Sequence, residues 1–136
     1  NQGEAISFGN LFHEILAKIF TKKDVNKIIA QYHQQGIIDE NQLLVINNTI
    51  VSVVNHPKLK NYFSDEVIIF NEREIVDVDN QVIIPDRLVF MDKNEVVIID
   101  YKTGNPSAEH HQQLLKYERV LKSMNFKVNK KLLIYI

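Results

Sequence analysis

The 136-residue chain contains no cysteine, which excludes disulfides, zinc–thiolate sites and iron–sulfur clusters held by this chain. It lacks tryptophan, and glycine and proline number only four and three. No repeat or low-complexity segment appears. No apolar run approaches the length of a membrane span, and no secretory signal is visible, so a cytoplasmic location without membrane contact is expected. Charge of either sign is not in excess. The formal net charge is -1 and the pI about 6.6, which gives no global attraction to nucleic acid.

What is present is ordinary for a globular protein: 45% hydrophobic and 24% charged residues. A chain of this length is expected to form one domain, residues 1–136, and to bury about two-thirds of its unfolded surface. It does not open on Met, so it is expected to be a piece of something larger. The charge is unevenly distributed. From Lys102 onward there are seven basic residues and two acidic ones, a net of +5, which leaves -6 over residues 1–101. A basic C-terminal third could face a phosphate backbone, or simply be a solvated helix face.

The periodicity places helices first. Phe8, Leu11, Phe12, Ile15, Leu16, Ile19 and Phe20 form one apolar stripe, which predicts a helix over Phe8–Thr21 with Ser7 as N-cap. A second helix is predicted over Asp24–Gln35, stopping at Gly36, and a third over Asp39–Asn55, ended by Pro57. The β-branched stretch Thr49–Val54 keeps strand open as an alternative there. Val67–Val78 then reads as a strand with a turn at Asp79-Asn80. Gln81–Met91 is a β-rich run broken by Pro85, and Glu95–Tyr101 is another. Ser107 caps a helix reaching Ser123, and Leu132–Ile136 reads as a last strand. Helices, a meander, then helix and strand imply an α/β fold with a central mixed sheet flanked by helices.

The chemistry concentrates in Pro85-Asp86-Arg87 and Asp100-Tyr101-Lys102. A three-residue loop at Asp92-Lys93-Asn94 makes paired residue numbers sum to 186 and sets Asp86 across from Asp100 on one face. Lys102 shares that face, because side chains alternate along a strand. A two-residue loop would shift the register and break this convergence. Two buried carboxylates repel unless a cation sits between them, and carboxylate-held metal ions cut phosphodiesters in many enzymes. A surface Asp–Lys pair at a strand end is the bland alternative.

Other residues are candidates to join. His13 has only Gly9 and Ala17 at four residues either side, which leaves space around its imidazole. The turn at Asp79-Asn80 decides what faces Asp86: a two-residue loop brings Arg73, a three-residue loop Glu72 or Glu74. Gln113 and Tyr117 lie four apart, on one helix face. His110 and His111 point to different faces.

Taken together, these residues resemble the RecB-type branch of the PD-(D/E)XK nuclease superfamily. Gly9-Asn10-Leu11-Phe12-His13 is similar to its helical Gly-x-x-x-His motif, and Glu72-Arg73-Glu74 to its acidic strand motif. Pro85-Asp86-Arg87 and Asp100-Tyr101-Lys102-Thr103-Gly104 resemble the two core motifs. Gln113-Leu114-Leu115-Lys116-Tyr117 resembles the Gln-x-x-x-Tyr helix motif that marks this branch. The five occur in the family's order, from Gly9 to about Leu121.

The resemblance implies a restriction-endonuclease-like core and metal-dependent hydrolysis of DNA phosphodiesters. It implies Asp86, Asp100, Lys102, Gln113 and Tyr117 as catalytic residues. His13, Asp86, Asp100 and the Tyr101 carbonyl would be ligands of Mg2+, with Mn2+ able to substitute and Glu74 or Glu72 as a further ligand. Lys102 would orient or help deprotonate the attacking water, and Gln113 and Tyr117 would position Lys102 or the DNA backbone. It also implies DNA ends as substrate and a helicase, in the same chain or a partner subunit, from which this domain was excised. Without cysteine, the iron–sulfur subgroup of the family is not expected. A non-catalytic DNA-binding or scaffold module of the same fold is the alternative. A small-molecule metallohydrolase is a third, but the five histidines do not form its ligand set.

Overall fold

Capping chemistry sets the boundaries of the helices. The computed structural model describes residues 2–136, with side chains from Phe8 onward. Backbone contacts divide them into two units that meet in sequence at Glu66 and Val67.

In the first unit, helix α1 spans Gln2–Ala17, α2 Val25–Gln34 and α3 Glu40–Asn55. The helix predicted over Phe8–Thr21 thus starts earlier and ends earlier, and Ser7 lies inside it instead of capping it. Its end has a local cause. Thr21 takes an extended backbone and its hydroxyl accepts from Lys23 N–H, while the Asp24 carboxylate accepts from Thr21 N–H. This capping box starts a new turn at Lys22–Asp24 and prevents α1 from continuing. The apolar stripe is real: Phe12, Ile15, Leu16 and Ile19 are buried, whereas Phe20, past the helix end, is exposed. Gly36 takes a left-handed φ of 74° just past α2, where a side chain would be strained. Asp39 and Gln42 form a second capping box that opens α3. Residues Thr49–Val54 are helical, because Ile46, Ile50, Val53 and Val54 recur on one buried stripe that outweighs their β-propensity.

The second unit holds a four-stranded mixed sheet in the order β1 (Ile68–Asn71), β4 (Arg87–Asp92), β5 (Glu95–Lys102), β6 (Lys127–Tyr135). Strands β1, β4 and β5 are antiparallel neighbours, and β6 runs parallel to β5 after helix α4 (Ala108–Ser123). The parallel pairing requires a long crossover, which α4 supplies. Ser107 caps α4 as predicted, accepting from Glu109 N–H. The core on this side of the sheet joins Leu88, Val96 and Ile98 to Leu114, Tyr117 and Leu121 of α4.

Three strand predictions are corrected. Val67–Val78 is not one strand. It breaks at Glu72–Glu74 into β1 and β2 (Ile75–Val76), and β2 pairs only with β3 (Val82–Ile83) in a separate two-stranded sheet. Glu72 has a φ of 49°, a left-handed kink that takes the chain out of the main sheet. The last strand begins at Lys127, five residues before the predicted Leu132. Lys127, Asn129, Lys130 and Lys131 hid it, since an edge strand carries charge on exposed positions. The hairpin loop is also shorter than predicted. Asp92 pairs with Glu95 across Lys93-Asn94, but a bulge between Phe90 and Asp92 restores the register, so that Arg87 faces Ile99. Two residues of loop plus one of bulge thus equal the three-residue loop in effect.

Candidate active site

The bulged hairpin brings the two aspartates together at the end of β5. Asp86 lies just before β4, where buried Pro85 interrupts the strand run and frees the backbone from the ladder. Each aspartate is tied to the other's strand. Asp86 N–H donates to Asp100 Oδ1 at 3.0 Å, and Tyr101 N–H donates to Asp86 Oδ2 at 2.8 Å. These reciprocal bonds hold one oxygen of each carboxylate and clamp the pair face to face.

The pair is electrostatically strained. Asp100 is 2% exposed. Burial, and then the charge of Asp86, push its carboxyl up to about 6, against the opposing pull of the Asp86 N–H and Lys102. Lys102 Nζ stands 3.6 Å from Asp100 Oδ2 and donates a hydrogen bond to Gln113 Oε1 on α4. Four residues on, Tyr117 is buried beside Gln113. Burial, the charges of Asp100 and Asp86 together raise its phenol above the ordinary value, while its hydrogen bond to Gln113 works the other way. Asp86, Asp100, Lys102, Gln113 and Tyr117 are therefore one connected group within the second unit. Lysine alone does not relieve the carboxylates, because Asp100 stays raised with the ammonium in place.

Of the remaining candidates, Glu72 and Glu74 lie in the second unit and His13 in the first. Pairing of Asn71 with Arg87 and the 3.1 Å bond from Glu72 N–H to the Asp86 carbonyl set Glu72 across from Asp86. The turn after β2 explains this. Asp77 N–H donates to the Gln81 carbonyl and leaves a three-residue loop, Val78-Asp79-Asn80. Glu72 and Glu74 are both exposed, and the Arg73 guanidinium stacks 4.6 Å from the Phe70 ring centroid. His13 stands on α1 in the first unit. Its Nδ1 lies 3.0 Å from the Gly9 carbonyl, which can only accept, so Nδ1 carries the proton. Among the described residues, no group of three or more His, Asp or Glu side chains is gathered to hold a metal ion.

The Asp86–Asp100 pair does fit a hard divalent cation. Its donors are all oxygen, its excess negative charge is buried, and Tyr101 brings a backbone carbonyl into the same stretch of β5.

One residue escaped the sequence reading. Arg87 is 0% exposed and faces the other side of the sheet from Asp86. Its Nη1 donates to Asn71 Oδ1 at 3.2 Å, and its charge opposes the effect of burial on the Tyr101 phenol, which is raised. The signal for it was its place directly after Asp86, since alternation turns consecutive residues to opposite faces.

No helix among the described residues is long and apolar enough to cross a membrane. A comparison with curated proteins finds no match. A family model, that of the PD-(D/E)XK nuclease superfamily, matches residues 1–135. The matched span contains the paired aspartates, the lysine two residues on and the mixed sheet that carries them, and the chain belongs to the PD-(D/E)XK nuclease superfamily.

Proposed function

We propose that the chain is a divalent-metal-dependent deoxyribonuclease of the RecB type, an exonuclease or end-processing domain. The observation that carries this reading is the clamped Asp86–Asp100 pair with Lys102 beside it. Asp86, Asp100 and the Tyr101 carbonyl would hold Mg2+ or Mn2+. His13 would add a nitrogen through Nε2, and its Nδ1–H bond to Gly9 is the kind of outer contact that orients a ligating imidazole. Glu72 is a better candidate than Glu74 for a further ligand, because its register faces Asp86. When bound, the ion supplies positive charge to the scissile phosphate and lowers the pKa of water.

The chain's own residues do the rest. The Lys102 ammonium orients the attacking water and offsets charge on the phosphate oxygens as the water oxygen bonds phosphorus and the bond to the leaving sugar oxygen breaks. Gln113 fixes the lysine, and Tyr117, hydrogen-bonded to Gln113, would help to position it. The near-neutral charge and the family branch favour a domain that works as part of a larger cytoplasmic helicase–nuclease, in recombination and break repair.

The test is cleavage of linear duplex and single-stranded DNA with Mg2+ or Mn2+, in the presence and absence of EDTA. The expected result is EDTA-sensitive cleavage that Asp100→Asn and Lys102→Met abolish while leaving the circular dichroism spectrum unchanged. DNA binding without any cleavage under these conditions would support the scaffold alternative and overturn the proposal.

A further inference from the structure

Beside Lys102 a groove of about 550 Å3 opens along α4, lined also by Glu109, His110, Gln112, Gln113, Lys116 and Arg119. Its charge differs from that of most of the basic C-terminal third, where only Lys130, on the edge strand β6, is likewise exposed without an acidic partner among the described residues. Lys122 and Lys131 pair with Glu118, Lys127 with Glu95, and Lys102 with Asp100. Lys116 and Arg119 are exposed and have no acidic partner among the described residues. They stand three residues apart on α4, a rise of about 4.5 Å.

An aromatic contact stands next to His110. Lys102 pairs with Tyr135 across β5 and β6, which puts Tyr135 on the α4 side of the sheet. The Tyr135 hydroxyl meets His110 Nδ1 at 2.9 Å, and the ring is partly open to solvent. The groove thus combines two uncommitted cations with a neighbouring ring pair, and it leads through Lys102 to the carboxylates.

We infer that this groove is a subsite for one or two nucleotides of single-stranded DNA adjoining the cleavage point, with Lys116 and Arg119 on the phosphates and the Tyr135–His110 pair under a base. This rests on the nuclease reading above and specifies which strand form enters the site. The volume is that of a small-ligand pocket. A ring offered for stacking suits an unstacked base, not a paired one. The one acidic wall residue, Glu109, sits in the first turn of α4, two turns from Lys116.

Binding, not cleavage, tests the subsite, so its failure is separable from failure of the nuclease reading. Fluorescence anisotropy of a labelled deoxythymidine oligonucleotide is measured with the full chain in Ca2+, over a series of salt concentrations. Lys116→Ala/Arg119→Ala is expected to weaken binding at least tenfold. It should also make the slope of log affinity against log salt shallower by about 1.4, the value for two lost phosphate contacts on a single strand. Tyr135→Leu should weaken binding roughly tenfold with the slope unchanged. Lys127→Ala/Lys130→Ala removes the same charge from the edge strand and should leave both quantities as they were. Equal losses from the two lysine- and arginine-directed double variants, an unchanged slope, or preferential binding of a blunt duplex would overturn the inference.

Discussion

Replacing Asp100 by Asn should make the metal-free protein more stable at neutral pH, and the size follows from the carboxyl's position. Asp100 titrates near 6 in the folded chain against an ordinary value of 3.8. Below about pH 4 the group is protonated in both states and costs nothing. As pH rises from 4 to 6 the unfolded chain releases the proton first, so folding stability falls, and the loss levels off above the folded value. At 1.36 kcal/mol per pH unit the full loss is about 3 kcal/mol. That figure already nets the repulsion from Asp86 against the attraction of Lys102. Asn keeps the oxygen that accepts from Asp86 N–H and removes the titration. Urea unfolding in EDTA should therefore show the variant gaining about 3 kcal/mol on the wild type between pH 4 and pH 7.5. This is a midpoint shift of about 1.5 M for a slope near 2 kcal/mol/M. Adding Mg2+ at pH 7.5 should narrow the gap by stabilising only the wild type. Parallel pH profiles for the two proteins would refute the claim that the pair stores repulsion.

Gln113→Leu should remove the acceptor that holds Lys102 and lower turnover about tenfold. Isothermal titration should find Mg2+ affinity unchanged, which a merely structural role would not predict. Arg87→Leu should cost about 3 kcal/mol in urea unfolding, because it leaves the half-buried Asn71 amide and the buried Tyr101 phenol without the guanidinium. Arg87→Lys should recover little of this, since an ammonium lacks the planar fork. Asp39→Ala breaks the capping box of α3 and should cost about 1 kcal/mol by the same measurement.

The sequence by itself determined what depends on neighbours along the chain. Ser107, Asp39 and Gly36 marked helix ends because capping oxygens and left-handed backbone act within one turn. The alternation of Val96–Lys102 put Asp100 and Lys102 on one face, and the missing cysteines removed whole classes of chemistry. Asp86 and Asp100 were legible as a pair because a hairpin has few registers.

Only the tertiary structure decided what depends on several elements at once. The bulge at Met91 left the register intact with a shorter loop, and nothing local distinguishes it from a longer turn. The kink at Glu72 and the three-residue loop after Asp77 together set Glu72, not Glu74 or Arg73, across from Asp86. The lysine-rich start of β6 is a strand because β5 offers it a partner, not because its residues favour one. The burial of Arg87, the hydrogen bond from Lys102 to Gln113 and the lack of an acidic partner for Lys116 and Arg119 among the described residues likewise depend on which side chains the folded sheet and α4 bring within reach. Chain-local propensities act over a few residues, whereas charge pairing and burial are properties of segments distant in sequence.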